Sequence, residues 1–250
     1  MTPPDHDPRS VTHGEAALGP TVRGYDRIRT VASFDELLDT PLTEPVNAVC
    51  WQRQLDGDFA EVVRLLAARD GVTTIDEDLL RALPLGKAGQ LAAATLIADL
   101  AQLRARGHEP VLECIRGYPR DDDSPLPTDV YSFHVDSATV PTDTILCSYT
   151  APASEGLRND EAQRQIDVPA VRARLLAHFG GRDDAEFVAY VRANFFDLHY
   201  AARAGTRPFS FGVGNLWRLA VAHPLAAVVP CIHRAPSTAP AALPRLLLIS

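Results

Sequence analysis

The chemistry-bearing residues of this chain cluster in VYSFHVDSATVPTDTILCSYTAPA, residues 130–153, where His134 and Asp136 stand two positions apart. Side chains at i and i+2 of a strand share a face, so this imidazole and carboxylate can reach one ion together. His233, in CIHRAP, is the candidate for a second imidazole. Two imidazoles and one carboxylate on one side of a metal leave the opposite positions open to other ligands. The His-x-acid spacing alone does not single out an ion. His13-Gly14-Glu15 repeats it, and with 8 His and 32 Asp plus Glu one such pair is expected by chance.

Arg245 opens the apolar run RLLLIS at the C-terminus. A charge in such a run is costly unless paired. A guanidinium fork suits a carboxylate, which is either an internal Asp or Glu or the far end of a bound dicarboxylate.

Several elements must bring these residues together. Ser33 with Glu36 predicts a capped helical turn in SFDELLDT, and 46–51 (VNAVCW) predicts a buried strand. DFAEVVRLLAAR predicts a helix up to Arg69, stopped by Asp70-Gly71. Residues 88–106 predict the longest helix, with an apolar stripe through Leu91, Ala94, Thr95, Ala98, Leu100 and Leu103 and a stop at Gly107.

Beyond it come short strand-like runs at 111–116, 130–133, 144–149, 208–213, 225–229 and 245–249. A helical block at 168–204, broken at Gly180-Gly181, interrupts them. Helices first and then many short strands fit an α+β layout. The expected organisation is a mobile tail over 1–28 and one domain over 29–250, with the block as an insertion. That block reads either as a lid bearing arginines and aromatics or as a hairpin covering a sheet edge.

A net charge of −8 argues against nucleic acid or an anionic membrane as partner. No apolar run is long enough to span a bilayer, and the N-terminus lacks a secretory pattern. Cys50, Cys114, Cys147 and Cys231 show no CxxC spacing, so reduced thiols in the cytoplasm are expected. Nothing in the sequence bears on oligomeric state.

His-x-Asp, a distant His and an Arg about a dozen residues later on the last strand together resemble the Fe(II)/2-oxoglutarate-dependent dioxygenase superfamily. FHVDSATVPTDTILCSYTAPASEG with HRAP and PRLLLIS is also similar to an uncharacterised bacterial family of the same arrangement. The resemblance covers roughly 111–250. It implies a double-stranded β-helix, or jelly roll, backed by the N-terminal helices. It implies that His134, Asp136 and His233 bind Fe(II), that Arg245 holds the tail of 2-oxoglutarate, and that Tyr149 assists there. The implied reaction uses O2, releases succinate and CO2, and hydroxylates or otherwise oxidises a small molecule or amino-acid derivative. The sequence departs from the pattern twice. The gap from Asp136 to His233 is long, and Leu247 stands where many members carry Ser or Thr.

Two other readings use the same residues. One is a zinc or iron homeostasis protein that holds a metal at His134, Asp136 and His233 without turnover; Cys231 with His134 and Asp136 would make a mixed-ligand zinc site, but it reads rather as a small buried apolar residue. The other is a jelly-roll interaction module whose His-x-Asp is incidental. His199 and His223 read as surface residues, and Gly212-Val213-Gly214 as a turn.

Overall fold

The structure is a computed structural model, and it describes residues 24–66, 70–120, 123–237 and 242–250. Most of the expected tail, the end of the helix running to Arg69 and part of the Pro/Ala stretch at 235–244 lie outside these residues. Residues 24–28 do not behave as tail. Tyr25 is buried and its hydroxyl donates to Asn159 Oδ1 at 2.8 Å.

The chain begins with β1 (Ile28–Val31), α1 (Phe34–Asp39), β2 (Ala48–Trp51), α2 (Phe59–Leu65), β3 (Val72–Ile75), α3 (Glu77–Ala82), α4 (Lys87–Ala105) and β4 (Val111–Ile115). It continues through β5 (Phe133–His134), β6 (Asp143–Ser148), β7 (Glu155–Leu157), β8 (Ala162–Arg164), α5 (Pro169–Phe179) and α6 (Ala185–Ala193). It ends with β9 (His199–Ala202), β10 (Phe209–Ser210), β11 (Leu216–Ala220), β12 (Ile232–Arg234) and β13 (Arg245–Ile249).

These elements make a mixed α+β architecture with two sheets. Sheet A has the order β1-β2-β11-β6-β13-β4-β3, and sheet B the order β10-β7-β12-β5-β9-β8. Every pairing is antiparallel except β1 with β2.

Local rules account for the helix starts. Ser33 accepts from Glu36 N while Glu36 Oε2 accepts from Ala32 N, close to the reciprocal cap read from the sequence. Asp58, Asp76 and Asp184 cap α2, α3 and α6 in the same way. Gly180 ends α5 in the left-handed region at φ 74°, which L side chains adopt only at a cost.

Strand alternation divides sheet A into two faces. Val49, Cys114, Ile145, Cys147, Tyr149, Leu216, Leu246 and Leu248 pack against α2 and α4 in one large core. Cys50, Leu146, Trp217 and Leu219 pack on the other side with Phe209, Phe211 and Cys231, which join sheet A to sheet B.

The buried stripe of α4 is Ala92, Ala93, Leu96, Asp99, Leu100 and Leu103; it shares Leu100 and Leu103 with the expected one, but Ala94 and Ala98 are exposed and Leu91 half exposed. The helix is so rich in alanine that several stripes are equally apolar. Which one faces inward is decided by Asp99, whose carboxylate receives Arg53 through two hydrogen bonds at 2.7 and 2.5 Å.

Several strand expectations change. Residues 130–132 form a turn leading into the short β5, and of 208–213 only Phe209–Ser210 is strand. Residues 225–229 are not a strand but a turn, exposed except for Val228, since Pro224 and Pro230 bracket them, and only Ile232–Arg234 pairs. The helical block ends early. Asn194 caps α6, Phe195 takes φ 59°, and His199–Ala202 becomes β9 within sheet B. α5 and α6 pack on their own cluster with Leu126 and Ile166, beside the β8–β9 edge. Among the described residues no helix is long and apolar enough to cross a membrane.

Candidate metal centre

β5 lies between β12 and β9 in sheet B, and the register sets His134 directly opposite His233 on one side. The ring centroids are 4.7 Å apart. Asp136 follows β5, where its carbonyl accepts from Ala222 N at 2.8 Å. Its carboxylate turns toward sheet A, and Oδ2 accepts from Thr144 Oγ1 of β6 at 2.5 Å. The site therefore sits between the sheets.

One ligand atom from each of His134, Asp136 and His233 lies within 4.8 Å of the other two. His134 Nε2 is 3.8 Å from Asp136 Oδ1, and His233 Nε2 is 3.6 Å from Asp136 Oδ2. These separations exceed a hydrogen bond. Ligands about 2.1 Å from one ion and separated by 90–120° stand roughly 3.0–3.6 Å apart, so the gap is close to one that a metal would fill.

Backbone carbonyls orient the rings. His134 Nδ1 faces Ser132 O at 2.7 Å and His233 Nδ1 faces Cys231 O at 3.4 Å, leaving both Nε2 atoms toward Asp136. Burial, reinforced by the neighbouring His233, pulls His134 down to about 4, so its imidazole is neutral and able to ligate near neutral pH. Burial alone would raise Asp136. The nearby His233, the Thr144 hydroxyl and His134 outweigh it and hold the carboxyl below its ordinary range.

Aromatic rings wall the site on the His233 side. Phe211 lies 6.4 Å from His233 and stacks on Trp217 at 4.4 Å. Gly156 pairs with His233 across β7 and β12 and makes room for this wall, because a Cβ there would sit 2.2 Å from Phe209 Cζ and 2.7 Å from Phe211 Cε1. The side chain of Asp136 is a third exposed, which makes it the open side of the site.

Arg245 is 2% exposed and, among the described residues, has no ion-pair partner within hydrogen-bond reach. Nε donates to Pro152 O at 3.2 Å, and Nη2 to Ser148 Oγ at 3.3 Å and Ser154 Oγ at 3.0 Å. Nη1 is buried without a hydrogen-bond partner. Burial pulls the guanidinium below its ordinary value, against the opposing influence of Tyr118, Tyr131 and Glu113. Ser154 lies two residues before Gly156, the partner of His233, a rise of about 7 Å along extended chain. Arg245 thus contacts the residue that leads into β7, the strand paired with β12.

Tyr149 is elsewhere. It belongs to the helix face of sheet A, where it stacks on Phe59 at 5.4 Å and donates to Asp99 Oδ2 at 2.5 Å. Burial pushes its phenol well above the ordinary range. A cavity of about 580 Å³ adjoins it, lined by Arg53, Phe59, Thr150, Val213 and Leu243 among others, and by none of the three candidate ligands. The sheet separates Tyr149 from the triad, because residue 149 has the opposite strand parity to Thr144 and Ser148.

Cys231 precedes His233 by two residues but is outside the ligand group, and burial, with the nearby Asp136, pushes its thiol up to about 12 in the metal-free protein. His223 is half-buried, with Nδ1 accepting from Leu225 N. His199, read from the sequence as surface, is buried and pairs with His134 on β9. Alternation in HYAA was the available signal for a strand there, but the helical periodicity upstream masked it. Ser148, Ser154, Tyr118 and Tyr131 also escaped the sequence reading.

Comparison with protein-family models, curated proteins and solved structures found no match.

Proposed function

We propose that this protein is an Fe(II)- and 2-oxoglutarate-dependent oxygenase built on a jelly-roll core, oxidising a small molecule or amino-acid derivative. The observation that carries the reading is a pairing. A His134–Asp136–His233 ligand set lies between the sheets, and a buried guanidinium with an unpartnered nitrogen touches Ser154, which leads into β7 beside β12. The donor set is the one used by non-heme iron oxygenases, with three protein ligands on one side and the rest open.

Iron held there would supply dioxygen activation, coupled to decarboxylation of the oxo acid to succinate and CO2. The chain does the remaining work. His134 presents a neutral Nε2, His233 turns its Nε2 toward the same carboxylate, Asp136 offsets part of the ion's charge, and Thr144 keeps that carboxylate turned inward. Arg245 receives the distal carboxylate through Nη1, a strong charge-assisted contact in a water-poor setting. Ser148 and Ser154 flank the guanidinium and supply the hydroxyls that Leu247 cannot. Phe211, Trp217 and Leu146 exclude water on one side, so the substrate enters by the Asp136 side.

Anaerobic titration of the protein with Fe(II) and then 2-oxoglutarate tests this directly. A weak visible charge-transfer band that depends on both is expected, followed by succinate release in air across a panel of candidate substrates. Tight stoichiometric zinc with no response to the oxo acid would instead make it a metal-holding protein.

A further inference from the structure

We infer that His199 is a positioning residue for this metal centre, holding the segment that presents His134; the inference rests on the metal-site reading above. β5 is two residues long, so strand pairing alone gives it little hold. Its His134 faces His233 on one flank and His199 on the other, with the His199 ring centroid 5.9 Å from that of His134.

The His199 ring is held on one side, where Nδ1 bonds Phe195 O at 2.9 Å, and the Thr128 backbone lies close by. Phe195 is the single non-glycine residue with positive φ among the described residues. A bulky side chain takes that conformation only when its surroundings enforce it, and such strain concentrates at functional positions. Here the strained turn converts the end of α6 into β9 and aims a carbonyl that accepts from both Leu198 N and His199 Nδ1.

On the far side of the ring, Thr128 leads into a tight turn. Asp129 Oδ1 accepts from Tyr131 N at 2.9 Å, and Asp129 O accepts from Ser132 N at 3.1 Å. Ser132 O then meets His134 Nδ1. The strained Phe195 thus holds His199 beside His134 on one flank, and the 128–132 turn supplies the Ser132 carbonyl that meets the same imidazole, whose other nitrogen faces Asp136. Partners of this kind fix the tautomer and ring orientation of a metal-bound histidine. His199 is not itself in the ligand group, whose members lie within 4.8 Å of one another.

The test uses the full chain and Co(II) as probe, reading affinity by competition with a chromophoric chelator and geometry from the visible Co(II) bands. His199→Phe keeps the ring volume and drops the hydrogen bond to Phe195 O. It should bind Co(II) about tenfold more weakly and with shifted bands, while the melting temperature of the metal-free protein stays close to wild type. His199→Asn keeps a donor for the Phe195 carbonyl and should recover affinity. Wild-type affinity and spectrum in His199→Phe would overturn the proposal. So would a loss as complete as that in His134→Ala, which would make His199 a ligand. Should His199→Phe not fold, His199→Leu, which also lacks a donor, is judged by the same two criteria. Absence of Co(II) binding in the wild type would reject the metal-site reading itself, a result separate from any effect of His199.

Discussion

His134 and His233 are held by the same device on paired strands: each Nδ1 faces the backbone carbonyl two residues earlier, Ser132 O and Cys231 O, and each Nε2 faces Asp136. Two imidazoles that already share an orientation lose little freedom when an ion joins them. Replacing either with Ala removes a ligand and should abolish stoichiometric Fe(II) or Co(II) binding, measured by equilibrium dialysis. Retention of a full equivalent in either variant would remove that residue from the centre.

Arg245 combines full burial with an unpartnered nitrogen, an arrangement that costs stability in the ligand-free protein. Arg245→Met should therefore raise the melting temperature by a few degrees while 2-oxoglutarate no longer binds and metal binding persists. Calorimetric titration with the oxo acid and thermal unfolding read the two effects separately. Unchanged oxo-acid affinity would remove Arg245 from the co-substrate site.

The acid limb of stability follows from His134. Its folded value near 4 lies below the roughly 6.5 of an unfolded histidine, so the unfolded chain takes up the proton first. The stability present above pH ~6.5 is lost as pH falls toward 4, on the order of 3 kcal/mol at the lower end. Asp136, held below its ordinary range, adds to the loss at lower pH still. Denaturant melts of the metal-free protein across this window should show the decline, and His134→Ala should flatten it. An unchanged acid limb in that variant would assign the effect to another group.

On the opposite face of sheet A, Arg53, Asp99 and Tyr149 form a buried unit behind the site. Asp99→Ala strands the Arg53 charge, whose side chain is only 9% exposed, and should cost about 3–5 kcal/mol. Tyr149→Phe removes one hydrogen bond and should cost about 1 kcal/mol. Because the sheet stands between Tyr149 and the triad, this second variant should bind metal and oxo acid normally. A selective loss of oxo-acid affinity would return Tyr149 to the site.

Much of this was legible in the chain. The Ser33 cap, the long helix α4, β4, β6, β13 and the pairing of chemistry at His134 and Asp136 depend on neighbours within a few residues, and local spacing reports them. The strand parity of 144–149 likewise separates Tyr149 from Thr144 and Ser148 on paper, but parity does not say which face looks into the site.

Four features depended on tertiary structure. Asp99 chose the buried stripe of an alanine-rich helix because Arg53 and Tyr149, distant in sequence, satisfy its carboxylate there. The strand β9 emerged from a stretch with helical periodicity because sheet B offered it hydrogen bonds on both sides, to β5 and β8. Arg245 was left without an acidic partner because serine hydroxyls and a carbonyl surround its guanidinium. His233 met His134 only because β12 and β5 are neighbours in that sheet. The sequence by itself determined which donor groups the protein owns and on which strand parity they stand. The packing of two sheets, which buries whatever faces meet, decided which of those groups converge.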